Sequence, residues 1–376
     1  MKRILLILYL LPVCIQLNAQ EAENHQIQRI LDSLQKTNGF PGVAFCAILP
    51  DQKKIVASAG WADSLQQHPM LPHHRMLSGS NGKTLFAAAA LKLASEGHYH
   101  LDDKISKYLS DEPWFKRLPN AKTITMRMLL NHTTGLEEYY GLGNFMELVR
   151  NNPERSFSPI ETFSYLFDRK PLFEAGTSWG YADTNFILMG YILEKVTGKK
   201  MYEWVQTHLI QPYDLTLTEP SLKMSFENLA TGYGRKNSPF PFDGAMVKKG
   251  KLVFNPQFEW MGGGFVSNVQ DLASWTKSLY SLSEIRDDIR EEMQYKVAAK
   301  TGKNHGYGLG IQIRPSEKLG TSYGHSGWFP GYLTDAVYFP EKDIALAIQF
   351  NTDDVSKLKM VPYEYLILIA EVLMKY

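Results

Sequence analysis

The chain has 376 residues, 44% of them hydrophobic. That is enough for one large domain or two medium ones, and too apolar for a disordered chain. The 40 basic and 39 acidic residues nearly cancel, which removes the electrostatic case for a nucleic-acid partner. Aromatics are abundant, with 20 Tyr and 19 Phe, so clefts lined by rings are expected.

The first 19 residues read as a secretory signal peptide. Lys2 and Arg3 form its positive start, an apolar run follows from Ile4 to Leu17, and Ala19 is small enough to precede a cleavage site. The run is too short for a spanning helix. Val13 stands before Cys14 where a lipoprotein would carry a small residue, which argues against lipidation. Export places the mature chain, residues 20–376, in the periplasm or outside the cell. Loss of Lys2 and Arg3 from the 40 basic residues leaves a net charge of −1 against the 39 acids. Cys46 then remains as the one cysteine, read as a buried core thiol because it sits in an apolar strand-like run. No later apolar run free of charge reaches membrane-spanning length, so no stable membrane span is expected.

Glu23 to Gln35 is predicted as an amphipathic helix, ending near Gly39 and Pro41. Strands follow at Val43–Leu49 and Lys54–Ala59, joined by a Pro50-Asp51-Gln52 turn. Thr84–Ala94 is a helix, nearly all apolar and therefore buried. From about 101 to 255 the pattern is mainly helical, with helices at Ile124–Asn131, Pro159–Phe167, Thr184–Val196 and Met201–Leu209. Asn268–Tyr280 adds another helix. Strands return at Tyr307–Ile313, Gly331–Phe339 and Ile344–Phe350, and a helix closes the chain over about Ser356–Lys375. The expected fold is α+β: one antiparallel sheet formed from both chain ends, flanked by helices, with an inserted mainly helical region. The groove between these parts is the natural place for an active site.

Chemistry concentrates first in Ser78-Gly79-Ser80-Asn81-Gly82-Lys83-Thr84. Ser80 and Lys83 lie three apart at the start of a buried helix, which stacks them on one face. A serine hydroxyl needs a base to become a nucleophile, and a partly buried lysine can serve. The S-x-x-K pattern alone also fits an N-cap serine beside a solvent-facing lysine. The G-x-S-x-G elbow of α/β-hydrolases is excluded, because Ser78 and Trp328 stand where it needs glycine around Ser80 and Ser326. Gly262 to Gly264 lacks phosphate-loop spacing, and His73-His74 and His98 with His100 lack zinc-protease spacing. No metal and no cofactor is implied.

Two further segments give Ser80 partners. One runs from Glu174 to Phe186 and contains Tyr181-Ala182-Asp183. The other is Gly324-His325-Ser326-Gly327-Trp328. In this order, S-x-x-K, Y-x-D and H-x-G, the chain resembles the class C β-lactamase, penicillin-binding-protein and D-alanyl-D-alanine carboxypeptidase family, with its esterase and D-amino-acid peptidase relatives. Phe40-Pro41-Gly42, Leu129 through Leu136 and Gly262-Gly263-Gly264-Phe265 resemble it too, so the likeness spans about residues 25 to 350.

The resemblance implies a set of roles. Ser80 attacks the carbonyl, and Lys83 and Tyr181 share the general-base work, with the Tyr181 pKa lowered by nearby cations. The backbone N–H groups of Ser80 and Trp328 form the oxyanion hole. His325 replaces a lysine and hydrogen-bonds Tyr181 or a substrate carboxylate, with a pH-dependent charge. Asp183, Ser326 and Gly327 contact substrate, and His132 is structural.

Asp183 departs from the family's asparagine. An ionised aspartate can only accept hydrogen bonds. It is expected to pair with Lys83, to shift the base role to Tyr181 and to disfavour β-lactams. Asn185 is set aside as the motif residue on helical phase. Phe145, Tyr139, Tyr140, Phe240 and Trp260 are the expected wall aromatics. The implied function is a serine hydrolase acting through an acyl-enzyme on an ester, a β-lactam or a D-amino-acid-containing peptide. A non-catalytic peptide- or penicillin-binding protein on the same fold is the alternative. The partner is a small-molecule or peptide substrate, and nothing in the sequence sets an oligomeric state.

Overall fold

The strands from the two chain ends meet in register. Val43 pairs with Phe350 and Ile48 with Ala345, which joins Gly42–Ile48 to Ile344–Phe350 across nearly the whole sequence. The computed structural model describes residues 24–302 and 304–374; the expected signal peptide lies outside them. Nine antiparallel strands follow one another across the main sheet. From one edge they are Val297–Ala298, Gly306–Tyr307, Gln312–Ser316, Gly320–Phe329, Tyr332–Phe339, Ile344–Phe350, Gly42–Ile48, Lys54–Asp63 and His68–Pro69.

The sheet is covered on both faces, so its central strands are apolar throughout rather than alternating. In Gly42–Ile48 every residue is buried. Val43, Phe45 and Ala47 pack with Ile27, Leu31, Tyr365, Leu366 and Ile369 of the terminal helices. Ala44, Cys46 and Ile48 point the other way, into the larger core with Phe86, Leu91 and Trp275. Burial pushes the Cys46 thiol up to about 12, in keeping with an inert core residue. Helix Val269–Leu279 lies on this second face against the three central strands. Helix Lys83–Ser95 is buried for eleven of its thirteen residues, as its composition required. The helical region lies beyond it, with Asp183–Thr197 as its longest helix. No described helix is long and apolar enough to cross a membrane.

Two expected elements are broken. The strand over Tyr307–Ile313 is interrupted after Tyr307, because Gly310 takes φ +79° and Gly310 N donates to Leu130 O. The last helix divides into Val355–Leu358 and Pro362–Leu373. Lys359 caps the first part in the left-handed region, and Pro362 supplies the preset first turn of the second. The predicted helix from Met201 runs to Val205 and continues as a π-helical turn over Gln206–Ile210.

Candidate active site

Ser80 sits in a tight 3-10 turn, Gly79–Gly82, that leads into the buried helix beginning at Lys83. Strand Gly320–Phe329 is pressed against this turn. Any side chain on Gly327 would clash with Ser78 O, and one on Gly79, at φ +52°, would meet the Trp328 backbone. Asn81 Nδ2 donates to His325 O at 2.6 Å and closes the joint. Ser80 and Trp328, the expected oxyanion-hole pair, therefore line one cavity.

Lys83 has no solvent exposure. Its Nζ donates to Ser80 Oγ at 2.9 Å, to Asp183 Oδ1 at 2.5 Å and to Gly262 O. It also lies 4.9 Å from the Tyr181 ring centre. The expected Lys83–Asp183 pair is thus formed. Asn185 turns away: its amide faces His132 Nδ1 at 3.0 Å and its oxygen accepts from Thr134.

Tyr181 differs from expectation. Burial, then the Asp183 charge, holds its pKa well above the ordinary tyrosine value. Ser80 stands near enough to pull weakly the other way, yet the hydroxyl makes no hydrogen bond of acceptable geometry. Burial, reinforced by the carboxylate that engages Lys83, therefore keeps Tyr181 a neutral phenol.

His325 also departs from its expected role. It is 1% exposed, and burial, then the Lys83 charge, lowers its pKa to about 3, so it is neutral. Its Nδ1 lies 2.5 Å from Ser326 O, a pure acceptor, so Nδ1 carries the proton. Nε2 must then accept from the Tyr307 hydroxyl at 2.8 Å. Tyr307 Oη in turn accepts from His132 Nε2–H at 3.3 Å, which leaves His132 Nδ1 to accept from Ala182 N–H and Asn185 Nδ2. His132 too is held neutral, chiefly by burial. Its ring packs on Tyr181 with centres 4.3 Å apart. His325 therefore neither bonds Tyr181 nor carries a pH-dependent charge toward substrate. His132 is structural, as expected, and it forms the wall behind Tyr181.

A cavity of about 150 Å³ opens beside Ser80. Tyr139, Tyr140, Tyr181, Asp183, Phe240, Phe258, Glu259, Trp328 and Phe329 line it. Phe145 lies behind Tyr139, fully buried, and Trp260 borders a different cavity, so neither is a wall. Ser326 is excluded as well. Successive residues of a strand face opposite sides, and Ser326 Oγ is held by Gln312 in a separate cavity with Arg314 and Tyr363.

Two acidic residues of the site were absent from the sequence reading. Glu138 Oε2 accepts from Asp183 N at 2.6 Å, and Glu259 lines the cavity itself. Burial and then the Asp183 charge raise the pKa of both well above the usual carboxylate value. The available signals were slight: Glu138 follows the recognisable Leu129–Leu136 stretch, and Glu259 adjoins Trp260.

The sheet of both chain ends, its helical cover and the cleft between them define a protein of the β-lactamase and transpeptidase-like fold. A Beta-lactamase family model matches residues 27–369, and the chain belongs to that family. Penicillin-binding protein 4* of Bacillus subtilis is 23% identical over 345 residues, covering 89% of this chain and 73% of its own length. A D-aminopeptidase of Brucella anthropi is 25% identical over 314 residues. That match takes in 83% of this chain but only 56% of the relative. A D-stereospecific amidohydrolase from Streptomyces sp. superposes with a TM-score of 0.76 at 26% identity, covering 90% of this chain and 96% of its own.

Proposed function

We propose that this chain is an exported serine hydrolase that forms an acyl-enzyme at Ser80. The supporting observation is the Lys83 Nζ to Ser80 Oγ contact of 2.9 Å, made by a lysine with no solvent exposure. In its amine form Lys83 is the base placed against Ser80 Oγ, held there by its contacts with Asp183 Oδ1 and Gly262 O. The amine takes the Ser80 proton as Oγ adds to the substrate carbonyl. Tyr181, a neutral phenol, protonates the departing amine or alkoxide. Backbone N–H groups of Ser80 and Trp328 receive the developing oxyanion. Water then attacks the acyl-enzyme, with the same groups acting in reverse.

The substrate class is an amide or ester of an amino acid, in line with the D-aminopeptidase and amidohydrolase likenesses. Neutral, buried His325 offers no cation for a terminal carboxylate, which supports this class over a carboxypeptidase substrate. The test is a hydrolysis panel of short-chain p-nitrophenyl esters, amino-acid amides, D-Ala-D-Ala peptides and nitrocefin, run on the mature protein and on Ser80→Ala. Turnover of esters and amides that vanishes in Ser80→Ala is expected. Equal turnover by both proteins would refute the nucleophile.

A further inference from the structure

The cavity beside Ser80 is bordered by buried carboxyl oxygens that the described residues leave without partners. Glu259 is 4% exposed, accepts no hydrogen bond among the described residues, and has Oε2 enclosed without a partner. It shares the cavity with Ser80 and with Asp183. Behind Asp183 stands Glu138, whose Oε1 is likewise enclosed and unpartnered. Among the described residues Lys83 is the cation that acts on both glutamates, and it is already taken up by Asp183. A buried carboxylate without a partner is costly to keep.

We infer that this cavity receives the protonated amino group of the acyl donor, with Glu259 as its direct acceptor and Asp183 as the second carboxylate wall. The inference rests on the Ser80 acyl-enzyme reading and narrows it to α-aminoacyl donors. The ammonium supplies the missing counter-charge and the missing hydrogen-bond donors together. Placing Ser80 and Glu259 on one small cavity puts the ammonium close to the scissile carbonyl, as in an α-amino acid. A volume of about 150 Å³ suits one residue rather than a peptide. The rings of Tyr140, Phe240, Phe258 and Trp328 offer faces to a cation and an apolar bed for its side chain. The same charge repels acyl donors that bear a carboxylate there, so selectivity comes from rejection as well as fit.

The experiment compares kcat/KM for D- and L-alanine p-nitroanilide with that for propionyl p-nitroanilide, which lacks only the amine. The better alanine enantiomer is expected to exceed the propionyl compound by about tenfold or more, the scale of one charge-assisted hydrogen bond. Glu259→Gln should bring that ratio toward one. A propionyl substrate handled equally well, or a ratio that Glu259→Gln leaves unchanged, overturns the inference while the acyl-enzyme reading stands. Absence of any turnover, with no fluorophosphonate adduct on Ser80, fails that reading and the inference with it. Should Glu259→Gln not fold, alaninol and propane-1,2-diol repeat the comparison as inhibitors of ester turnover by the wild type. The cation is expected to inhibit at the lower concentration, and equal inhibition overturns the proposal.

Discussion

Replacing Lys83 with methionine removes the cation that acts on both glutamates and pairs with Asp183. Methionine keeps the length of the side chain, so little cavity is created. What remains is Asp183 without its ion-pair partner, and Gly262 O and Ser80 Oγ without their lysine donor. Breaking a buried pair on one side costs about 3–5 kcal/mol. Unfolding entropy near 2.1 cal/mol/K per residue converts this, for roughly 350 residues, to a fall in Tm of roughly 4–7 °C. The loss depends on pH. Glu138 and Glu259 have folded pKa values already raised well above the ordinary glutamate value, and Lys83 is the charge that opposes the rise. Its removal raises them further, so the folded state binds protons more tightly than the unfolded state. Linkage then holds the deficit constant while both glutamates stay protonated in both folded proteins, and enlarges it only once pH passes their already raised wild-type values. Thermal melts of wild type and Lys83→Met from pH 4.5 to 8 give the comparison. A deficit that shrinks as pH rises would refute the account of this buried charge cluster.

Tyr307→Phe strips one acceptor from His132 and one donor from His325, both buried. Each orphaned group costs about 1–3 kcal/mol, so a clear loss of Tm is expected. The reaction should lose kcat more than it raises KM, because Tyr181 leans on His132 and the substrate cavity is untouched. Imidazole nitrogen shifts in the wild type should show His325 protonated at Nδ1 and His132 at Nε2 from pH 5 to 8; titration in that range would contradict the assignment. Gly327→Ala must separate the strand from Ser78, so slower probe labelling of Ser80 and a lower Tm are expected, and unchanged labelling would deny that the strand positions the turn. Asp183→Asn supplies an amide donor where the cavity now has only an acceptor, so acylation by a β-lactam should rise. No gain, with esterase activity unchanged, would remove Asp183 from substrate selection.

The fold was legible because its signals are local. The apolar runs at Gly42–Ile48 and Ile344–Phe350, and the Ala- and Leu-rich helix at Lys83–Ser95, carry their burial in composition. Ser80, Lys83 and Asp183 were legible because the S-x-x-K spacing and the order of motifs in the family resemblance place them. The charge states were not, since they depend on neighbours brought in from afar. Tyr181 is governed first by its burial and then by the Asp183 charge. His325 is claimed by Tyr307 from a neighbouring part of the sheet, which no sequence spacing announced. Glu138 and Glu259 reach the site from segments on either side of Asp183 in the chain. Ser326 is a different case: the strand Gly320–Phe329 that carries it was not among the predicted strands, and there its Oγ is turned to Gln312.

The central claim is that Ser80 carries the acyl group. A fluorophosphonate probe followed by peptide mass mapping tests it directly. The account predicts one adduct, on the peptide containing Ser80, formed by the wild type and absent from Ser80→Ala. An adduct on another residue, or equal labelling of both proteins, would contradict it.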